Sequence, residues 1–168
     1  MLHFIFYQFR REEFEIVAVD GEGKRCRVIR WPEKHRFGNA AFIGQSQGRL
    51  RCISGLRKQN VEGNVFQLTG LSVWILEDYD AEEWVLKHSV SFLRVFGRWS
   101  LLFPSEYHVV ALHPDRNLVF LVHHRDQKLI SCVLRTLGQG YSCVTLYRPC
   151  FESSVLAYGV LVRFSARI

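Results

Sequence analysis

Between Leu71 and Val90 the chain reads LSVWILEDYDAEEWVLKHSV, two apolar runs divided by a block of acids. A helix needs its apolar residues on one stripe, recurring every three or four positions. Val73, Trp74, Ile75 and Leu76 are consecutive, so a helix would carry them around its whole circumference. A strand buried on both faces accepts such a run, and β-branched and aromatic side chains favour it. Beyond the acids, Trp84, Leu86, His88, Val90 and Phe92 alternate with Val85, Lys87, Ser89 and Ser91. That is the period of two of a strand with one face inward. The stretch is predicted to be a β-hairpin, with His88 a buried, hydrogen-bonded imidazole.

The pattern recurs in NLVFLVHHRDQKLISCVL, where Leu118–Val122 is continuous and apolar and a second strand runs from Leu129 to Leu134. Val73 and Val119 are 46 residues apart. Each hairpin has a strand before it, RLRCISG (Arg49–Gly55) and YHVVALHP (Tyr107–Pro114). The connection that follows is long in one case, Leu56–Gly70, and short in the other, Asp115–Asn117. HFIFYQF, FEIVAVD and KRCRVIRW supply parts of one more unit, and YSCVTLY (Tyr141–Tyr147) is the best candidate for a fourth strand. Units of this size match propeller blades, and propellers close with about 4–8 of them. The expected fold is therefore all-β, antiparallel sheets stacked as a partial, unclosed β-propeller of two to three blades. A complete β-sandwich is the alternative architecture.

The remaining residues agree with an all-β chain. There are 13 Phe, 6 Tyr and 4 Trp against a single Met, which favours sheet over helix bundle. No apolar run approaches the ~18 residues of a membrane-spanning helix. Five cysteines without a C-x-x-C pair fit neither a disulfide framework nor a zinc ribbon, and the expected location is cytoplasmic and/or nuclear. The net charge of +6 is unevenly spread: 12 Lys/Arg against 6 Asp/Glu in residues 1–60, 3 against 7 in 61–106, and 7 against 3 in 107–168. The cations are scattered with no run of five, so nucleic-acid binding is not expected.

Motifs that could carry chemistry read better as turns. HPD (His113–Asp115) lies between strand-like segments, and GEGK (Gly21–Lys24) lacks the spacing of a phosphate-binding loop. His123 and His124 would point to opposite faces of a strand and cannot share an ion. Glu77, Asp78, Asp80, Glu82 and Glu83 lack the ligand order of a calcium loop. No Cys–His catalytic signature is evident. No metal, no cofactor and no catalytic residue is expected.

LSVWILEDYD, EEWVLKHSV, HPD, KLIS (Lys128–Ser131) and PCFESS (Pro149–Ser154) resemble, in order and spacing, the C-terminal repeat region of plant F-box proteins. The set expanded in grasses, whose F-box-associated domain is a β-propeller, is the one resembled. The similarity runs from about Gly48 to Ser154. It implies a partial F-box-associated β-propeller over 1–154 and a divergent C-terminal tail over 155–168. It departs at Cys132, where the family commonly has an aromatic. In the family the F-box docks on the Skp1 adaptor of a cullin-based ubiquitin ligase and the propeller recruits the substrate. The resemblance implies the receptor half here, a non-catalytic protein-recognition module with an unknown protein substrate. Skp1 and cullin would join only through an F-box in a longer product, because MLHFIF at the start is already sheet-like. The alternative is a stand-alone β-sandwich protein-binding domain unrelated to ubiquitination.

Propellers bind partners through the loops at the ends of the ring. Tyr79 and Arg125 are expected at equivalent hairpin turns on one face. Arg98 and Trp99, in the linker FGRWSLLFPSE, are residue types favoured at interface centres.

Overall fold

The computed structural model describes residues 1–11, 13–32, 40–59, 66–93, 107–123, 128–134 and 142–147. The strands within them are β1 (Leu2–Gln8), β2 (Glu13–Val19), β3 (Cys26–Arg30), β4 (Ala40–Ser46), β5 (Arg49–Gln59), β6 (Phe66–Asp78), β7 (Glu83–Ser91), β8 (Tyr107–Leu112), β9 (Leu118–His123), β10 (Lys128–Val133) and β11 (Ser142–Tyr147). They form three open antiparallel meanders: an N-terminal sheet β1-β2-β3, a middle sheet β4-β5-β6-β7 and a C-terminal sheet β8-β9-β10-β11. Residues 155–168, assigned above to a tail, lie outside the described residues.

The run Val73–Leu76 explains the stacking of the sheets. In β6, Val73 pairs with Ile53, and Trp74 with Cys52. Alternate residues of a strand point to opposite faces, so the two pairs face different neighbours. Ile53, Leu71, Val73 and Val90 pack with Tyr107, Val109, Leu112, Val119, Leu121, Ile130 and Cys132 of the C-terminal sheet. On the other face Leu50, Cys52 and Leu76 pack with Ile16, Ala18, Ile29 and Trp31, and Trp74 joins them. The middle sheet thus has a core on each side. A sandwich buries one face per sheet, so the alternative architecture does not fit. The stacked, unclosed sheets are a partial β-propeller.

Strand directions fit the same plan. β8 ends at a turn that abuts the β4–β5 turn, through bonds described below, so β4 and β8 run in the same sense and lie side by side. Both are first strands of their sheets. β1 runs the other way, because Met1 and His3 at its start meet the β6–β7 turn, which lies at the end where β4 finishes. β1 therefore occupies a second-strand position, β3 is the outer strand like β7, and the first position of the N-terminal sheet has no strand among the described residues.

Several sequence expectations are corrected. β4, Ala40–Ser46, was not anticipated: it is joined to β5 by Gln47 and Gly48 at φ 52° and 72°, the positive pair of a type I′ turn. The 46-residue step matches β6, a third strand, with β9, a second strand. Both read as apolar runs because any strand packed between neighbouring sheets does. The long connection Leu56–Gly70 is mostly strand, since β5 extends to Gln59 and β6 starts at Phe66. A bulge at Thr69 shifts their register, and its hydroxyl donates to Leu56 O at 3.3 Å. In β7 the alternation does not persist: Lys87 is an extra residue opposite β6, the phase slips, and Leu86 is 38% exposed while His88, Val90 and Phe92 are buried.

Where β6 pairs with β7, Gly70 leaves no room for a side chain: an added Cβ would collide with the Val90 carbonyl oxygen. Moving that oxygen means moving the ladder. Gly70→Ala is expected to cost about 1–3 kcal/mol, as overpacking of a tight site does. Gly21→Ala, with open space around it, should stay within about 0.5 kcal/mol. Urea unfolding of the two variants tests this, and equal midpoints would contradict it.

Candidate functional site

Two polar clusters mark the seams between sheets, and both grow from hairpin turns. At the first, Asp78 Oδ1 accepts the N–H groups of Asp80 and Ala81 at 2.8 Å each, closing the β6–β7 turn, and Glu82 adopts φ 55°. Short polar side chains stabilise such turns by imitating a backbone acceptor. The turn reaches over the N-terminal sheet. Arg27 of β3 donates to Asp80 Oδ1 and to Asp80 O at 3.0 Å, approaches Glu82 at 3.7 Å, and lies 5.1 Å from the Tyr79 ring centroid. The Arg30 N–H donates to Glu82 Oε2 at 3.2 Å, and the Trp84 indole donates to Arg30 O at 3.0 Å. These bonds occupy the main chain of Arg30 on an outer strand, a position otherwise open to edge-to-edge pairing. The Tyr79 hydroxyl lies 3.3 Å from His3 Nε2 and 3.4 Å from Met1 Sδ.

The second seam is held by Gln47, Arg51 and Asn117. Gln47 N–H donates to Pro114 O, Ser46 Oγ to His113 O at 2.6 Å, and Gln47 Nε2 to Asp115 O at 3.5 Å. Arg51 is only 2% exposed. Its guanidinium donates to Asn117 Oδ1 at 3.0 Å and to Gln47 Oε1 at 2.6 Å. Among the described residues its acceptors are neutral oxygens, and its Nε has no partner. Desolvation, with Arg49 nearby, lowers its pKa from the usual guanidinium value. HPD is the β8–β9 turn of this seam, in which the Asp115 N–H donates to His113 Nδ1 at 3.1 Å.

These contacts match part of the uneven charge. Glu77, Asp80 and Glu82 pair with Arg49, Arg27 and Lys87, joining the acidic middle third to the basic first third with one local partner. Cations matched in this way are not displayed for phosphate. Among the described residues no group of three or more His, Cys, Asp or Glu is placed to hold a metal ion. No helix among them is long and apolar enough to cross a membrane.

Of the four residues expected to bind a partner, only Tyr79 is described. It is half-buried in the first seam. Arg98, Trp99 and Arg125 lie outside the described residues. The expectation that Tyr79 and Arg125 share one face rests on Arg125 and therefore lies outside the described residues. The turns at the Tyr79 end include β2–β3, β4–β5, β6–β7 and β8–β9, and the last three bring Gln47, the acidic turn and Pro114–Arg116 to one rim.

A family model described as F-box protein At3g26010-like, beta-propeller, matches residues 1–145. The chain belongs to this F-box protein β-propeller family. No curated protein and no solved structure matches it. A propeller of this family, with loops gathered at a rim, has the character of a protein-interaction module.

Two measurements address the seams. Asn117→Ala removes a neutral acceptor from the buried Arg51 and should cost about 1–3 kcal/mol, the penalty for a buried donor left unpaired. Unchanged unfolding would show that the clasp carries no stability. At the other seam, burial and then the terminal amino group lower the pKa of His3 below 6.5. Above 6.5 the imidazole is neutral whether folded or not. As the pH falls below it the unfolded chain takes up the proton first, so stability is lost on acidification. Between about pH 7.5 and about pH 5, His3→Gln should lose stability less steeply than the parent. Identical slopes would refute the role of His3.

Proposed function

We propose that this chain is the substrate-receptor part of an SCF-type ubiquitin ligase, of the plant F-box kind its motifs resemble, and that it has no catalysis of its own. The observation that carries the reading is the family match over residues 1–145. The geometry agrees with it, because the polar side chains at the seams are spent on joining sheets. Sheets locked together in this way offer loops on a rigid scaffold, which suits recognition. The partner is a protein that the rim turns contact, and the Skp1–cullin machinery enters through an F-box carried by a longer product. The chain acts in the cytoplasm or nucleus, where that machinery works.

Overexpressed without an F-box, the chain should occupy its substrate without delivering it to the ligase. In cells, the proteins crosslinked to it are expected to lengthen in half-life, and a cullin-neddylation inhibitor should add nothing further for those proteins. A fusion carrying an F-box should shorten the same half-lives and capture Skp1. Crosslinked partners whose turnover responds to neither form would refute the ligase role.

A further inference from the structure

Among the described residues, the three sheets leave two broad faces with no sheet packed on them, one at each end of the stack. On the N-terminal sheet, residues at one phase of β1 and β2 pack inward on the middle sheet, so the other phase faces out. There Phe4 pairs with Val17 and Val17 with Val28, with Leu2 and Phe6 alongside. Leu2, Phe4, Phe6 and Val28 are 60%, 53%, 51% and 50% exposed. Four large apolar side chains in register make a patch rather than scattered exposure. On the C-terminal sheet, Val119 and Leu121 face the middle sheet, which places Leu118, Phe120 and Val122 on the outside, opposite Val133, Ser131 and Leu129. These residues are half-exposed.

We propose that two copies of this chain close one ring of six sheets, head to tail, the outer face of each copy's N-terminal sheet packing on the outer face of the other's C-terminal sheet. Two observations select a second copy as the occupant. Two copies of the three described sheets make six, within the range of about 4–8 that closes a propeller, and half a ring from each copy is the condition for two-fold closure of a heterologous interface. Finally, a sheet face of this size measures roughly 20 by 15 Å. Two seams counted on both partners remove on the order of 1,200–1,600 Å² from water, the size of a stable complex.

Sedimentation equilibrium of the purified full chain at micromolar concentration tests the proposal. A dimer is expected. Phe4→Lys and Phe120→Glu alter opposite faces, and each alone should weaken dimerisation on the order of 100-fold, as the loss of central aromatic anchors does. Mixed, they should form a heterodimer, because one seam is then unaltered and the other joins Lys to Glu. Circular dichroism matching the parent shows that both variants keep the sheets. A monomeric parent overturns the proposal, as do filaments that grow with concentration. A Phe120→Glu variant that still dimerises while Phe4→Lys does not would mean that the N-terminal faces pair with each other, which also overturns it.

Discussion

Burial of the middle sheet on both faces is the constraint from which the rest of the structure follows. β5 and β6 place Ile53 and Val73 on one side and Cys52 and Trp74 on the other, so neither face can meet water without exposing apolar surface. Each fully buried Val, Leu or Ile contributes roughly 1.5–3 kcal/mol relative to exposure. Val73, Leu71, Val90 and Ile53 are all 0% exposed. A two-sided sheet recruits two neighbours, and each neighbour then presents an outer face of its own. A closed ring or a partner ends that series.

Apolar packing between sheets is tolerant of sliding, and polar contacts at the turns set the alignment. Arg27 with Asp80 and Glu82 ties the first seam, while Arg51 with Gln47 and Asn117 ties the second. Exposed ion pairs of the first kind contribute little individually, about 0–1 kcal/mol. The buried guanidinium differs: its position is demanding because an unmatched donor there is costly. Part of the segmental charge of the sequence is thus an internal device.

This arrangement shapes what the chain can offer a partner. Tyr79, by residue type a plausible contact, is engaged with His3, Met1 and Arg27. The surface left to recognition is the outward side of the turns, on a scaffold whose seam side chains are engaged between sheets. Little of that surface was legible beforehand. Gln47 was missed because Gln-Gly is not the usual Asn-Gly signal for a tight hairpin, and its role depends on Pro114 and Asp115, far away in sequence. Arg51 looked like one more scattered cation, since nothing local distinguishes a buried arginine from a solvated one. His88, by contrast, is buried as expected, although the phase with Trp84 and Leu86 that suggested it is broken at Lys87 and its burial goes with Val90 and Phe92.

Local pattern alone determined that the chain is sheet, that Leu71–Val90 is a hairpin, and that its first strand is covered on both faces. Those conclusions rest on side-chain alternation and on β-branched, aromatic composition, which act within a few residues. Which strand holds which place in its sheet was decided only in three dimensions: the 46-residue step paired a third strand with a second, and β4 went unseen. The reason is physical. Any strand between two layers becomes uniformly apolar, so hydrophobicity reports coverage and not rank, while rank follows from register, bulges and turn contacts between distant segments.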